Sequence, residues 1–321
     1  MSACNAASAS DSHGVPGCFG GRGGAPVRVS CYASMKRVLV TGATGQIGSE
    51  VISQLRGTGC RVRAMTRNPR SASLPPDVEI VPGDLFAPDT LDACLDGIDS
   101  VFLLWIAPLA AAAPALERIA AHARQIVLLT SPHRTPHPFF QQPNALRVIH
   151  AGVEQLIEAS GLRWTFLRPG PFAINCRNWW APQLRNGDVV RWFYADAATA
   201  PVHERDIAAV AVRALCDDGH DGREHVLTGP ASLTQREQVQ IIGDAVGRPL
   251  HFEELSRESA REQMLAMRFP PPAADMLLSA YAAAVGQPAL VTSTVLDVTG
   301  APARSFHDWA LDHAGDFATL S

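Results

Sequence analysis

The sequence predicts an α/β chain in which a doubly wound parallel sheet is followed by a smaller, mostly helical lobe. Two observations carry this reading. From Lys36 onward, short apolar runs alternate with helical patterns, the rhythm of strand–helix–strand units joined by right-handed crossovers. The strand-like runs are also apolar nearly throughout, as expected of strands covered on both faces. A chain of 321 residues suffices for one large domain, or for one domain and a small lobe.

The strand-like stretches are RVLVT (37–41), RVRAMT (61–66), VEIV (78–81), SVFLLW (100–105), QIVLLT (125–130) and WTFLR (164–168). Helical patterns fill the gaps at 46–56, 88–95, 114–123 and 143–160. After Gly170 the rhythm loosens. VVRWFYA and REHVLTG read as further strands and 204–218 as an amphipathic helix. Beyond them TQREQVQIIGDAVG and REQMLAMRF read as helices, with a proline-rich joint, FPPPAAD, after the second. The predicted division is therefore an extension over 1–34, a nucleotide-binding domain over 35–170 and a substrate lobe over 171–321 with strands returning to the main sheet. That lobe is expected over the carboxyl ends of the strands, where open α/β sheets bind ligands.

The stretch VLVTGATGQIGSEVISQL supplies the chemistry of that end. Gly42, Gly45 and Gly48 follow an apolar strand and lead into an amphipathic helix, the context in which a GxGxxG-like pattern is informative. Gly42 permits the turn, Gly45 lets the backbone approach a pyrophosphate, and Gly48 lets helix and strand pack closely. Thr44, Gln46 and Ile47 complete the turn and the first helical residues, whose N–H groups and dipole favour phosphate. The pattern predicts a Rossmann-type domain. At the end of the second strand AMTRNPR contains no carboxylate for a ribose 2′-hydroxyl; Arg67 stands there instead. A guanidinium pairs well with a 2′-phosphate, so NADP(H) is expected over NAD(H), the alternative being a solvated surface arginine. In PGDL, Asp84 and Leu85 fall where an adenine would lie, and Asp84 either accepts from its amine or caps the next turn.

Together with AMTRNP and PGDL, the stretches EASGLRWTFLRPGPF, APVHERDIAAVA and RSFHDWA make the chain similar to the atypical short-chain dehydrogenase/reductases, within them to the NmrA-like group with its triphenylmethane- and ergot-type reductases. The likeness spans roughly 35–310 and is strongest before Gly170. It implies an NADP(H) site and a variable substrate lobe. Members of the group are reductases or NADP-binding redox sensors, so the resemblance implies fold more firmly than activity.

The Tyr-x-x-x-Lys pair of typical short-chain dehydrogenases is excluded by counting. Lys36 is the only lysine and opens the first strand, and the tyrosines are Tyr32, Tyr194 and Tyr281. Aligned on the family pattern, His150 stands at the lysine position and Leu146 at the tyrosine position. Glu154, four residues after His150, shares its helix face and is expected to orient the imidazole and raise its pKa. Three roles are open to His150: a ribose contact, a proton donor, or a structural histidine beside Leu146, Ile149, Val153 and Leu156. Ser131, ending the fifth strand, matches the superfamily's serine and is read either as a hydrogen-bond donor to a substrate carbonyl or as a strand-end hydroxyl. RPGPF is expected beside the nicotinamide, with Trp105, Phe172, Trp179 and Trp180 as pocket walls or as core. Asp206 is read as a helix-start residue.

Several classes are set aside. Net charge is −4 and no Lys/Arg run appears, so no nucleic-acid partner is expected. The apolar run 101–116 is cut by Pro108 and Pro114, against a membrane span. His133 and His137 are spaced H-x-x-x-H, but Pro132, Pro136 and Pro138 exclude the helix that would align them, so no metal is expected. Seven cysteines without a C-x-x-C pair suggest free thiols and a cytoplasmic protein. Residues 1–34 lack an apolar signal core and read as a disordered extension, with MKRVLVTG at Met35 as an alternative start. The expectation is an NADPH-dependent reductase of a small electron-poor molecule, monomer or homodimer. The rival is a non-catalytic NADP sensor, and an epimerase-like use of the cofactor is a weaker third.

Overall fold

The structure, a computed structural model, describes residues 35–142 and 145–318, so the expectations for 1–34 lie outside the described residues. In chain order the strands are β1 Arg37–Val40, β2 Arg61–Thr66, β3 Glu79–Pro82, β4 Ser100–Leu104, β5 Gln125–Leu129, β6 Arg163–Pro169, β7 Val189–Trp192, β8 Ala198–Thr199, β9 Arg223–Leu227, β10 Leu233–Thr234 and β11 His251–Glu254. The helices are α1 Gln46–Leu55, α2 Asp92–Leu95, α3 Ala112–His122, α4 Ala145–Ala159, α5 Ile174–Leu184, α6 Glu204–Cys216, α7 Gln235–Val246, α8 Arg257–Ala266, α9 Pro271–Ala284, α10 Thr294–Thr299 and α11 Phe306–Asp312.

Seven strands form one sheet in the order β3-β2-β1-β4-β5-β6-β9, with every neighbouring pair parallel. The chain winds outward from β1 through β2 to β3, then restarts at β4 on the other side of β1. This reversal opens a crevice at the carboxyl ends of β1 and β4. Alternation within the strands assigns side chains to two layers. Val38 and Val40 pack with Val51, Ile52 and Leu55 of α1 and Ile207, Ala211 and Leu215 of α6. Leu39 faces the opposite layer, with Leu103, Ile126, Leu128, α3 residues Leu116 and Ile119, and α4 residues Val153 and Ile157. A third core belongs to the later part of the chain and gathers Trp180, Trp192, Tyr281 and Trp309.

The helix expected over 88–95 is divided: a 3₁₀ turn at Pro88–Thr90 precedes the short α2. α3 begins before Pro114, which occupies the first turn, where its missing N–H is not required. Sharp ends later in the chain follow local chemistry. α7 starts with a Thr234–Glu237 capping box and stops at Gly247, whose φ is +71°. Among the described residues no helix is long and apolar enough to cross a membrane.

Candidate cofactor and substrate site

The glycine turn behaves as a device for bringing backbone close to backbone. Gly42 has φ +60°, and its carbonyl accepts from Gly45 N–H at 2.9 Å. A methyl group at Gly48 would stand 2.2 Å from that same carbonyl oxygen, so α1 packs against the turn only because residue 48 has no side chain. Gly45 is the N-cap of α1 and supplies no side-chain cap. Thr44, Gly45 and Gln46 are exposed, whereas Ile47 is buried and anchors the helix below them. The helix therefore presents its first N–H groups and its positive dipole end without a competing side-chain acceptor. Thr41 Oγ1 accepts from Leu104 N–H at 2.8 Å and ties the carboxyl ends of β1 and β4 together. These features fit the pyrophosphate of a dinucleotide.

Beside the turn is a cavity of about 110 Å³, lined among others by Thr44, Arg67, Asp84, Leu85, Leu104 and Ile106. It gathers residues from the ends of β1, β2, β3 and β4. Arg67 is exposed and makes no hydrogen bond or ion pair among the described residues, leaving its guanidinium available. Asp84 Oδ1 accepts from Phe86 N–H at 3.0 Å, so the carboxylate shapes the turn after β3 while also lining the cavity. Ile106 was not singled out from the sequence. Its signal is an apolar residue held 57 % exposed just beyond a buried strand.

Farther along the same edge, a second cavity of about 170 Å³ is lined by Ser131, His133, His150, Phe139, Phe140, Leu146, Met276 and Leu277, among others. His150 Nδ1 lies 2.8 Å from Ser131 Oγ. His133 folds back so that its Nδ1 is 3.0 Å from the Ser131 carbonyl oxygen and 3.5 Å from Ser131 Oγ. The strand end of β5 and the face of α4 thus bring a hydroxyl and two imidazoles to one wall of a pocket whose remaining lining is apolar except for Gln142.

Glu154 does not take the part its spacing suggested. It is fully buried and accepts from Thr130 Oγ1 at 2.9 Å and from Arg168 Nη2 at 2.6 Å. Arg168, itself almost fully buried, continues the pairing to Glu224 on β9. The carboxylate is consumed by charges beneath the pocket, so its pull on His150 is outweighed. Burial, with His133 nearby, moves the His150 pKa down from its ordinary value, the reverse of the sequence expectation. Burial likewise lowers that of His133, with Glu154 opposing. Both imidazoles are neutral at pH 7.

Of the two readings open for the aromatics, the structure favours the core. Trp180 is fully buried and Trp179 stacks on Trp192 with 5.6 Å between ring centroids, both in the third core. Trp105 is buried with the α3 and α4 layer, and Phe172 packs between the first and third cores. None of the four lines the pocket that holds Ser131 and His150. Its aromatic walls are instead Phe139 and Phe140, whose adjacency shortly after the Ser131 strand end was the available signal. The roof, Met276, Leu277 and Ala280, comes from α9. His137 points elsewhere, with Nε2 3.1 Å from the Pro288 carbonyl oxygen. Asp206 is buried and binds Arg304 N–H at 2.7 Å.

A family model described as NAD(P)H-binding matches residues 42–218. A Streptomyces griseus (4-alkanoyl-5-oxo-2,5-dihydrofuran-3-yl)methyl phosphate reductase is 40% identical over 291 residues, covering 88% of this chain and 99% of the relative. An NAD(P)H azoreductase of Xenophilus azovorans is 33% identical over 289 residues, 87% of this chain and 99% of its own length. Among solved structures, Citrobacter sp. triphenylmethane reductase complexed with NADP(H) superposes with a TM-score of 0.72 at 20% identity, covering 87% of this chain and 99% of that one, which speaks for the fold. With its glycine turn, its doubly wound sheet and these matches, the chain belongs to the NAD(P)H-binding family of oxidoreductases.

Proposed function

We propose that the chain is an NADPH-dependent reductase of a small, flat, neutral, electron-poor molecule. One observation carries this: Ser131 Oγ and His150 Nδ1 stand 2.8 Å apart in a cavity whose other walls are Phe139, Phe140, Leu146, Met276 and Leu277. Neither a carboxylate nor an ammonium group lines that cavity, and both of its imidazoles are neutral, so a neutral acceptor suits it better than a cationic dye. The names of the two relatives agree on an electron-poor double bond but not on net charge. The first describes a ring C=C conjugated with carbonyl groups on a molecule that also carries a phosphate, and the second an azo compound.

The bound cofactor would supply a hydride, held by Gly42, Gly45 and Gly48 at its pyrophosphate and by Arg67 at a 2′-phosphate. The chain's own residues then manage the charge that develops on the acceptor. With its proton on Nδ1, His150 donates to Ser131 Oγ and leaves the serine O–H free for a substrate oxygen. A donor aimed at a developing oxyanion is typically worth about 10²-fold in rate. The walls exclude water and hold the ring. We further place the protein in the cytoplasm as a monomer or homodimer, in keeping with unpaired Cys60, Cys94, Cys176 and Cys216.

The test incubates the full chain with NADPH or NADH and a panel of quinones, activated alkenes, azo dyes and triphenylmethane cations, following loss of reduced-cofactor absorbance. Turnover of neutral acceptors with preference for NADPH is expected. NADPH binding without turnover of any class would overturn the proposal in favour of a sensor. Turnover confined to the cations would overturn the choice of acceptor.

A further inference from the structure

The edge of the sheet opposite the cofactor site holds a second cluster of reactive groups that the reduction does not use. Cys60 sits immediately before β2 and Cys216 ends α6, 156 residues apart in sequence, yet their Sγ atoms are 3.7 Å apart. Both are partly exposed and neither is bonded to another sulfur. Thr58 Oγ1 lies 3.8 Å from Cys216 Sγ. The sole lysine closes the cluster: Lys36 Nζ donates to Gln125 Oε1 at 2.8 Å and to the Leu215 carbonyl, next to Cys216. Four of the seven cysteines are described, and only this pair among them brings two sulfurs together.

We propose that Cys60 and Cys216 form an oxidative modification site, closing to a disulfide when the protein meets a hydroperoxide. The geometry requires little. A disulfide brings sulfurs to ~2.05 Å, so closure from 3.7 Å is within the reach of side-chain rotation at two positions that already face each other. Burial holds the Cys216 thiol up to about 11, Thr58 opposing; the reaction balances whichever of the two sulfurs is oxidised first, and with Cys60 first it runs in two steps. Cys60 sulfur attacks the peroxide O–O bond, becoming a sulfenic acid, and the departing oxygen leaves as water with the thiol proton. Cys216 sulfur then attacks the sulfenic sulfur, and the displaced hydroxyl leaves as a second water with the Cys216 proton. Two thiols and one hydrogen peroxide give one disulfide and two waters.

The bond would fasten the start of β2 to the end of α6, the helix that packs with α1 over the sheet. It would enclose most of the nucleotide-binding fold in one covalent loop and restrict the unfolded chain strongly. Because it lies at the amino ends of the strands, it would leave the glycine turn and the Ser131–His150 pocket in place. Oxidation therefore reads as stabilisation without loss of cofactor binding.

Tryptic mapping tests this without any substitution. Cleavage at arginine isolates Cys60 in residues 57–61 and Cys216 in residues 214–223. The full chain, reduced and then treated with hydrogen peroxide, is expected to yield these two peptides joined. The melting temperature should rise by roughly 5–10 °C over the reduced protein, and NADPH affinity should be unchanged. Cys60→Ser and Cys216→Ser should each abolish the joined peptide and the rise. Absence of that peptide under conditions that oxidise other thiols of the chain would overturn the proposal. A joined peptide with no rise in melting temperature, or a rise that survives Cys60→Ser, would overturn it as well.

Discussion

Adding a methyl group to a glycine inside a helix ordinarily stabilises a protein by about 1 kcal/mol. At Gly48 the opposite is expected. The new Cβ would lie 2.2 Å from the Gly42 carbonyl oxygen, 2.7 Å from its carbon and 3.0 Å from Ala43 Cα, whereas ordinary contact begins near 3.4 Å. All three are backbone atoms, so no side chain can rotate away and the turn must retreat by roughly 1 Å, an overpacking cost of about 1–3 kcal/mol. The retreat also strains Gly42 at φ +60° and the 2.9 Å bond from Gly45 N–H to its carbonyl, a bond worth ~1 kcal/mol. After the helix gain is subtracted, Gly48→Ala should cost about 1–3 kcal/mol and lower the melting temperature by roughly 3–10 °C. Gly45→Ala is the control. Its φ of −86° suits alanine and its Cβ would meet only the Gly42 oxygen, at 3.3 Å. Loss of stability there should be about 1 kcal/mol or less, yet NADPH affinity should fall, because the methyl occupies the approach to the pyrophosphate. Thermal denaturation with and without NADPH, together with calorimetric titration, separates the two effects. A Gly48→Ala protein as stable as the parent would refute the close-approach argument, and a Gly45→Ala protein with full affinity would refute the placement of the pyrophosphate.

Further expectations concern single side chains. Arg67→Asp should weaken NADPH binding by roughly 1–3 kcal/mol and leave NADH binding equal or improved; calorimetry showing tighter NADH binding by the parent protein would count against the 2′-phosphate role. His150→Gln keeps a hydrogen-bonding side chain near Ser131, so turnover of an activated alkene should fall but persist. Because burial already holds His150 neutral, both parent and variant should show little pH dependence between about 7 and 8; a parent profile that titrates there, and flattens in the variant, would restore the imidazolium as proton donor. His313 joins Glu204 at 2.6 Å and Asp316 at 3.2 Å, and chiefly the Glu204 bond raises its pKa. A raised folded pKa contributes stability that is full below the unfolded value, about 6.5, and lost as pH climbs through the raised value. The melting-temperature gap between parent and His313→Gln should therefore narrow from pH 6 to pH 9, and a gap that widens over that range would contradict the assigned pairing.

The geometry of the glycine turn was legible in the sequence because its requirements are local. A left-handed turn, an open N-cap and a close helix approach each demand glycine, and all fall within a few residues of an apolar strand. Arg67, Asp84 and Leu85, counted from the motif as strand-end positions, come together in one cavity for the same reason. Pairings across the sheet were not legible. Glu154 and His150 share a helix face at i,i+4, but spacing says nothing of Arg168, which arrives from β6 with a stronger claim on the carboxylate. The tryptophans stayed open between core and pocket because large aromatics satisfy either on paper. The pocket takes its roof from α9, more than a hundred residues after Ser131, and no local pattern reports a meeting at that distance.

That roof is contributed by a few neighbouring positions on one helix, and Phe139 touches the same helix edge-on through Tyr281, with ring centroids 5.2 Å apart. The described residues that line the cavity beside the glycine turn, by contrast, all lie before residue 107. The two jobs are thus written on separate stretches of the gene. If the pocket holds the acceptor as proposed, drift at the α9 positions that face it would retune which molecule is admitted while the coenzyme grip stays untouched; the opposite face of the helix, with Leu278 and Tyr281, belongs to the third core and has to be kept. Exchanging Met276, Leu277 and Ala280 alone for the residues of a relative with a different acceptor is accordingly the shortest route to moving that acceptor's preference onto this chain.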